Sequence, residues 1–146
     1  MRRASQRGTA VVEFVWLAIL LLVPLLYIVL AVFEVQRSAF AVSAAARAAG
    51  RAFVLSPSEA SASARAVAAA RVAMADQDLD LDRASIAFTC APDPANCLVS
   101  GSTVQVSVSY PVALPLVPTA LGGNTPSIRV QAVHRVPYGL FREDRS

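Results

Sequence analysis

A run of 20 residues from Phe14 to Phe33, FVWLAILLLVPLLYIVLAVF, carries no charge, and this constrains the chain more than any other feature. As a helix rising about 1.5 Å per residue it spans roughly 30 Å, the thickness of the hydrocarbon core of a bilayer. Glu13 and Glu34 bracket the run, and Trp16 lies near one end, where an amphipathic ring can sit among headgroups. Arg2, Arg3 and Arg7 precede it and Arg37 follows it. That bias places the N-terminus in the cytoplasm and the remainder outside. Pro24 falls mid-run. It removes one backbone hydrogen bond, so a kink is expected, of a kind membrane helices tolerate.

Hydrophobic residues make up 55% of the chain, an excess concentrated near the N-terminus. The three leading arginines account for the formal charge of +3, because the remaining ten basic residues balance ten acidic ones. A body that is neutral overall gives no support for a nucleic-acid partner, which would be marked by a basic patch. A cleavable secretory signal competes with the anchor reading. Its apolar region would run about 7–15 residues and end at a small-residue site. The run here is longer, although Ala39-Phe40-Ala41 fits such a site and would release a domain beginning at Val42.

The segment Arg7-Gly8-Thr9-Ala10-Val11-Val12-Glu13-Phe14 bears on this choice. A short basic leader ends in Gly, four residues follow, then an acid, an aromatic and the apolar run. This resembles the processing site of type IV prepilins, and especially the TadE-like minor pilins of tight-adherence (Flp-type) systems. The resemblance is close over about the first 50 residues and holds only in outline beyond them. It implies that prepilin peptidase cuts between Gly8 and Thr9, leaving Glu13 as the fifth mature residue, followed by Phe14. It also implies that Glu13 pairs with the terminal amine of a neighbouring subunit during assembly. A carboxylate at the edge of a bilayer is costly unless paired. A plain alternative is that Glu13 favours the positive end of a helix.

Beyond Phe33 the sequence EVQRSAFAVSAAARAAGRAF has no Pro and abundant Ala, so helix continues. Phe40, Val42, Ala46, Ala49 and Phe53 form an expected apolar stripe, and Arg37, Arg47 and Arg51 mark a polar side. A helix over 9–53 is about 65 Å long. Ala44, Ala45, Ala48 and Gly50 would allow close helix contact. Ser56-Pro57-Ser58-Glu59 reads as a second helix start, with Ser56 as N-cap and Glu59 as the capping-box acid. That helix runs to about Asp76, with Val67, Ala70 and Met74 on one side, and is expected to lean on a sheet.

Ser85–Cys90 reads as a strand. Thr103–Tyr110 alternates strictly, with Val104, Val106 and Val108 on one face. Pro111 should end that strand or mark an edge. Ser127–Val136 alternates as a third strand. Between the last two lies Val112–Pro126, rich in Pro, Gly and Leu. Its Leu side chains would either touch a partner or the membrane surface, or cover the sheet's core.

Cys90 and Cys97 are the two cysteines, and outside the membrane they are expected to form a disulfide. Asp76, Asp78 and Asp80 begin like a calcium loop, but Leu81 stands where the turn Gly should be, and Ala87 where the bidentate Glu should be. A solvated face is the better reading, with no metal. His134 is the only His, and no nucleophile, base and orienting acid surround it. No phosphate loop appears. The expectation is therefore no enzyme and no cofactor.

Together these readings give an α+β chain in three parts: a leader over 1–8, a membrane-spanning and projecting helix over 9–53, and an exported domain over 54–146. The domain is expected to hold one helix and about three antiparallel strands. The resemblance implies a minor pilin-like subunit in the cytoplasmic membrane. Its partners would be prepilin peptidase, other pilin subunits, an inner-membrane platform protein and membrane lipid. Two other readings stand beside it, an uncleaved single-pass envelope module and a secreted domain.

Overall fold

The structure is a computed structural model, and it describes residues 6–113 and 127–145. Its axis is one helix, α1 (Gln6–Val54), of 49 residues. It is helical at Gln6, three residues before the expected Thr9, and passes through Pro24 without a break in the helix. Two segments are arranged around its C-terminal half. The second helix, α2 (Glu59–Ala75), packs along α1. A short 3-10 turn (Leu81–Arg83) leads into an antiparallel sheet of order β1-β2-β3, with β1 Ser85–Ala91, β2 Thr103–Ala113 and β3 Ser127–Pro137. The architecture is α+β, as the sequence predicts. Of the segment Val112–Pro126, Val112 and Ala113 belong to β2, and 114–126 lie outside the described residues.

The register explains the sheet's two faces. Val104, Val106, Val108, Tyr110 and Val112 of β2 are buried. Opposite them in β3 stand Val136, His134, Ala132, Val130 and Ile128. Ile86, Phe88 and Cys90 of β1 share this inner face, because they pair with Val108, Val106 and Val104. The outer face is polar. Arg135 Nε donates to Gln105 Oε1 at 2.7 Å, and the Ser85 and Ser109 hydroxyls lie 2.7 Å apart. Strict alternation in the sequence thus becomes one dry and one wet face.

Pro111 sits inside β2, the central strand, where it pairs with Arg129. β1 ends at Ser85, opposite Ser109. At Pro111, β2 therefore has a neighbour on one side only, which is the edge setting that admits proline.

Three local expectations change. Val42, Ala46, Ala49 and Phe53 are buried, but Phe40 is 71% exposed. The sheet and α2 together cover the other side of α1, leaving Phe40 outside. Second, α2 rests on α1 rather than on the sheet. The facing residues are small: Ala45 and Ala49 of α1, and Ala62, Ala66 and Ala70 of α2, are all fully buried. Small side chains let two helix backbones approach closely, which offsets the thin apolar face of α2. Third, Gly50 serves the sheet and not a helix. A Cβ built on it would meet Val136 Cγ2 at 2.8 Å and His134 Cδ2 at 3.3 Å. This places the lone His134 against α1 as a packing residue.

The expected capping box at Ser56 does not form. Ser56 is buried and its Oγ donates to Ala52 O at 2.8 Å, so it closes α1 instead of opening α2. The N-cap of α2 is Ser58, and Glu59 is turned elsewhere. The C-terminal tail finishes the junction. Arg142 Nη1 donates to Val54 O and Arg145 Nη1 to Ser56 O, both at 2.9 Å. The first satisfies a carbonyl that the end of a helix leaves without a partner, and the second a carbonyl in the turn that follows. Tyr138 anchors the tail. It is buried, its N–H donates to Ser102 O at 2.9 Å, and its hydroxyl donates to Glu143 O at 2.7 Å.

Candidate functional sites along the first helix

Along α1 the surroundings change in order. Gly8 and Thr9 lie in the first described turn of α1. Glu13 and Phe14 follow, both exposed. Among the described residues Glu13 makes no ion pair. From Ala10 to Leu26 every residue is exposed, and burial begins at Tyr27 and Ala31. The helix is long and apolar enough to cross a membrane. Half of it is therefore bare apolar surface, and the other half is the spine of a folded domain.

The far end of the sheet meets α1 where the bare half gives way to the packed half. β2 runs down the helix, from Val106 beside Gly50 to Val112 near Arg37 and Ser38. β3 runs back up, from Ile128 to Val136. The hairpin end flanks two cavities. On the β3 side a groove of about 450 Å³ is lined by Tyr27, Ile28, Ala31, Val32, Val35, Gln36 and Ile128. On the β2 side a smaller cleft of about 200 Å³ holds Glu34, Arg37, Ser38, Asp78, Arg83 and Tyr110.

The cleft is polar. Arg37 Nη2 donates to Glu34 Oε2 at 3.0 Å, and the Arg83 guanidinium lies 5.5 Å from the Tyr110 ring centroid. Ser38 is 1% exposed, and its hydroxyl has no partner among the described residues; neither has Arg37 Nε. The spacing of Glu34 and Arg37, one helical turn apart, is a signal that sequence reading could have used. Ser38 could not have been found that way, because the residues beside it, from Asp78 to Val112, lie far along the chain.

Cys90 and Cys97 form a disulfide, with Cα atoms 5.3 Å apart. The loop between them is tied down by Glu59, whose Oε1 accepts from Cys97 N at 2.6 Å. Asp93 organises the loop itself, accepting from Ala95 N at 2.9 Å and from Asn96 Nδ2 at 2.7 Å. Those two bonds, the backbone one foremost, hold its carboxyl below the usual carboxylate range. The aspartates expected on a solvated face have local partners. Asp80 accepts from Asp82 N at 2.9 Å, and Asp82 accepts from Arg71 at 3.0 Å. Asp78 occupies a left-handed conformation at φ 54°.

Compared with protein-family models, curated proteins and solved structures, the chain matches none of them.

Proposed function

We propose that this chain is a minor pilin-like, membrane-anchored subunit for assembly of a tight-adherence (Flp-type) pilus or a related secretion apparatus. Its N-terminus faces the cytoplasm, and its α+β domain lies outside the membrane. One observation carries this reading. The bare apolar half of α1 and the core helix of the domain are a single 49-residue helix, so motion of the anchor is passed to the domain without a linker. The leader motif supplies the chemistry. Prepilin peptidase cleaves between Gly8 and Thr9, and the carboxylate of Glu13 pairs with the Thr9 amine of a neighbouring subunit. An unpaired carboxylate at that depth is costly, so the pairing drives register between subunits. Other pilins and an inner-membrane platform protein are the partners, and no step requires a cofactor or catalysis by this chain.

Burial weighs against release of a secreted domain. A cut after Ala41 would fall between Ala41 and Val42, both fully buried against the domain, and would divide its spine.

The test is the N-terminal peptide of membrane-extracted protein by mass spectrometry, with and without co-expressed prepilin peptidase. A peptidase-dependent start at Thr9, abolished by Gly8→Val, is the expected result. An intact N-terminus beside an active peptidase would overturn the pilin reading in favour of an uncleaved anchored module.

A further inference from the structure

We infer that the Ile128 end of β3 is set into the outer leaflet, and that the groove beside it holds an acyl chain of a bilayer phospholipid. This rests on the membrane-anchor part of the proposed function. The first argument is height. The next charge after the apolar run is Glu34, paired with Arg37, and such a pair marks the water side of a span. Tyr27 and Ile28 stand six to seven residues below it, about 10 Å along the axis at the helical rise. Ile128 lines the same groove as these residues. The lengths agree along the contact: β3 from Ile128 to Val136 covers about 26 Å, and α1 from Ala31 to Gly50 about 28 Å. The hairpin end therefore lies level with the last turns of the apolar run and not above them.

The second argument is the chemistry of the groove. Among the described residues its lining is apolar except for the Tyr27 hydroxyl and Gln36 at the water-side end. Its volume lies in the range of about 300–1,000 Å³ typical of small-molecule sites. Val29, Leu30 and Phe33 on the same turns of α1 are exposed. An extended peptide laid there would find few partners for its backbone groups, whereas an acyl chain needs none.

The third argument is charge. Just above the hairpin end three arginines come from three elements: Arg37 from α1, Arg83 beside Tyr110, and Arg129 of β3. The cleft also holds Glu34, paired with Arg37, and Asp78. Arginines at headgroup height attract lipid phosphates. Arg129, next to Ile128 in β3, is the cation on the groove's own side, whereas Arg37 and Arg83 lie in the cleft on the β2 side.

Trp16 is the only tryptophan, which gives a direct test. The full chain is reconstituted in phosphatidylcholine vesicles with or without bromine, a contact quencher, on the acyl chains. Quenching of Trp16 in the unmodified chain reports the anchor. In a Trp16→Phe/Ile128→Trp variant, the expected result is blue-shifted emission quenched most by bromine near the headgroup end of the chain. Trp16→Phe/Val133→Trp, on the outer face of β3 where Val133 is 53% exposed, should emit as in water and escape quenching. Should Ile128→Trp fail to fold, Trp16→Phe/Ala113→Trp reads the same depth, because Ala113 pairs with Ser127. A quenched Trp16 with an unquenched tryptophan at 128 overturns this inference and leaves the anchor standing. Blue-shifted but unquenched emission at 128 overturns it in favour of a protein, such as a second copy's helix, in the groove. An unquenched Trp16 overturns the anchor and the inference together.

Discussion

Gly50 of α1 and Val136 of β3 approach so closely that a Cβ on Gly50 would lie 2.8 Å from Val136 Cγ2. No real Cβ tolerates that distance, so the missing side chain sets how near the sheet comes to the helix. Two effects oppose each other in Gly50→Ala. Alanine is the better helix former by about 0.5–1 kcal/mol, while overpacking a tight core costs about 1–3 kcal/mol. Val136 Cγ2 is on a stiff β-branched side chain, so overpacking should win. Gly50→Ala is expected to lower stability in denaturant titrations of the full chain in micelles, and Gly50→Ala/Val136→Ala to lose less than the sum of the single changes. Additive losses would count against the steric account.

The disulfide closes an eight-residue loop, from Cys90 to Cys97. Chain-entropy arguments assign such a loop about 2–3 kcal/mol. Cys90→Ser/Cys97→Ser, or reduction of the native protein, should lower the thermal midpoint of the domain. Unchanged melting after verified reduction would show that Glu59 and Asp93 alone hold the loop.

Glu59 Oε1 accepts from Cys97 N at 2.6 Å across the helix–loop junction. Glu59→Ala leaves a half-buried donor unsatisfied, at a cost of about 1–3 kcal/mol. Glu59→Gln keeps an acceptor and should lose less. The contrast is read from the two denaturation midpoints. If both variants lose equally, the charge and not the hydrogen bond holds the loop.

Asp93 supplies a pH dependence. Its carboxyl is held below the ordinary range by the Ala95 N–H and the Asn96 amide. A depressed folded value means stability that is fully present above the ordinary aspartate value and lost as pH falls through the lower, folded one. NMR titration of the Asp93 side chain should give a midpoint below that of an unstructured aspartate. Asn96→Ala should move the midpoint up part of the way, since the stronger bond from Ala95 N remains.

Arg142 and Arg145 tie the C-terminal tail to the end of α1. Arg142→Ala should raise amide exchange at the α1–α2 junction while leaving the apolar half of α1 unaffected. Equal protection in the variant would mean that Arg145 and Tyr138 fasten the tail without Arg142.

Local spacing determined much of this molecule without help. The apolar run sets one span-length helix, since 20 uncharged residues have few other homes. Valine at every second position of 104–108 sets a two-faced strand, because a pleat alternates by geometry. Two cysteines seven apart have only each other. Tertiary structure decided what spacing could not. In an Ala-rich helix the periodicity is weak, so which side of α1 is covered was settled by the sheet and α2, and Phe40 was left in the open. Glu59 reads locally as a capping acid, but its partner is 38 residues away, and the partners of Arg142 and Arg145 are 88 and 89 away. The groove beside Ile128 belongs to the same class. It exists because strand and helix lie side by side, and no window of sequence contains both.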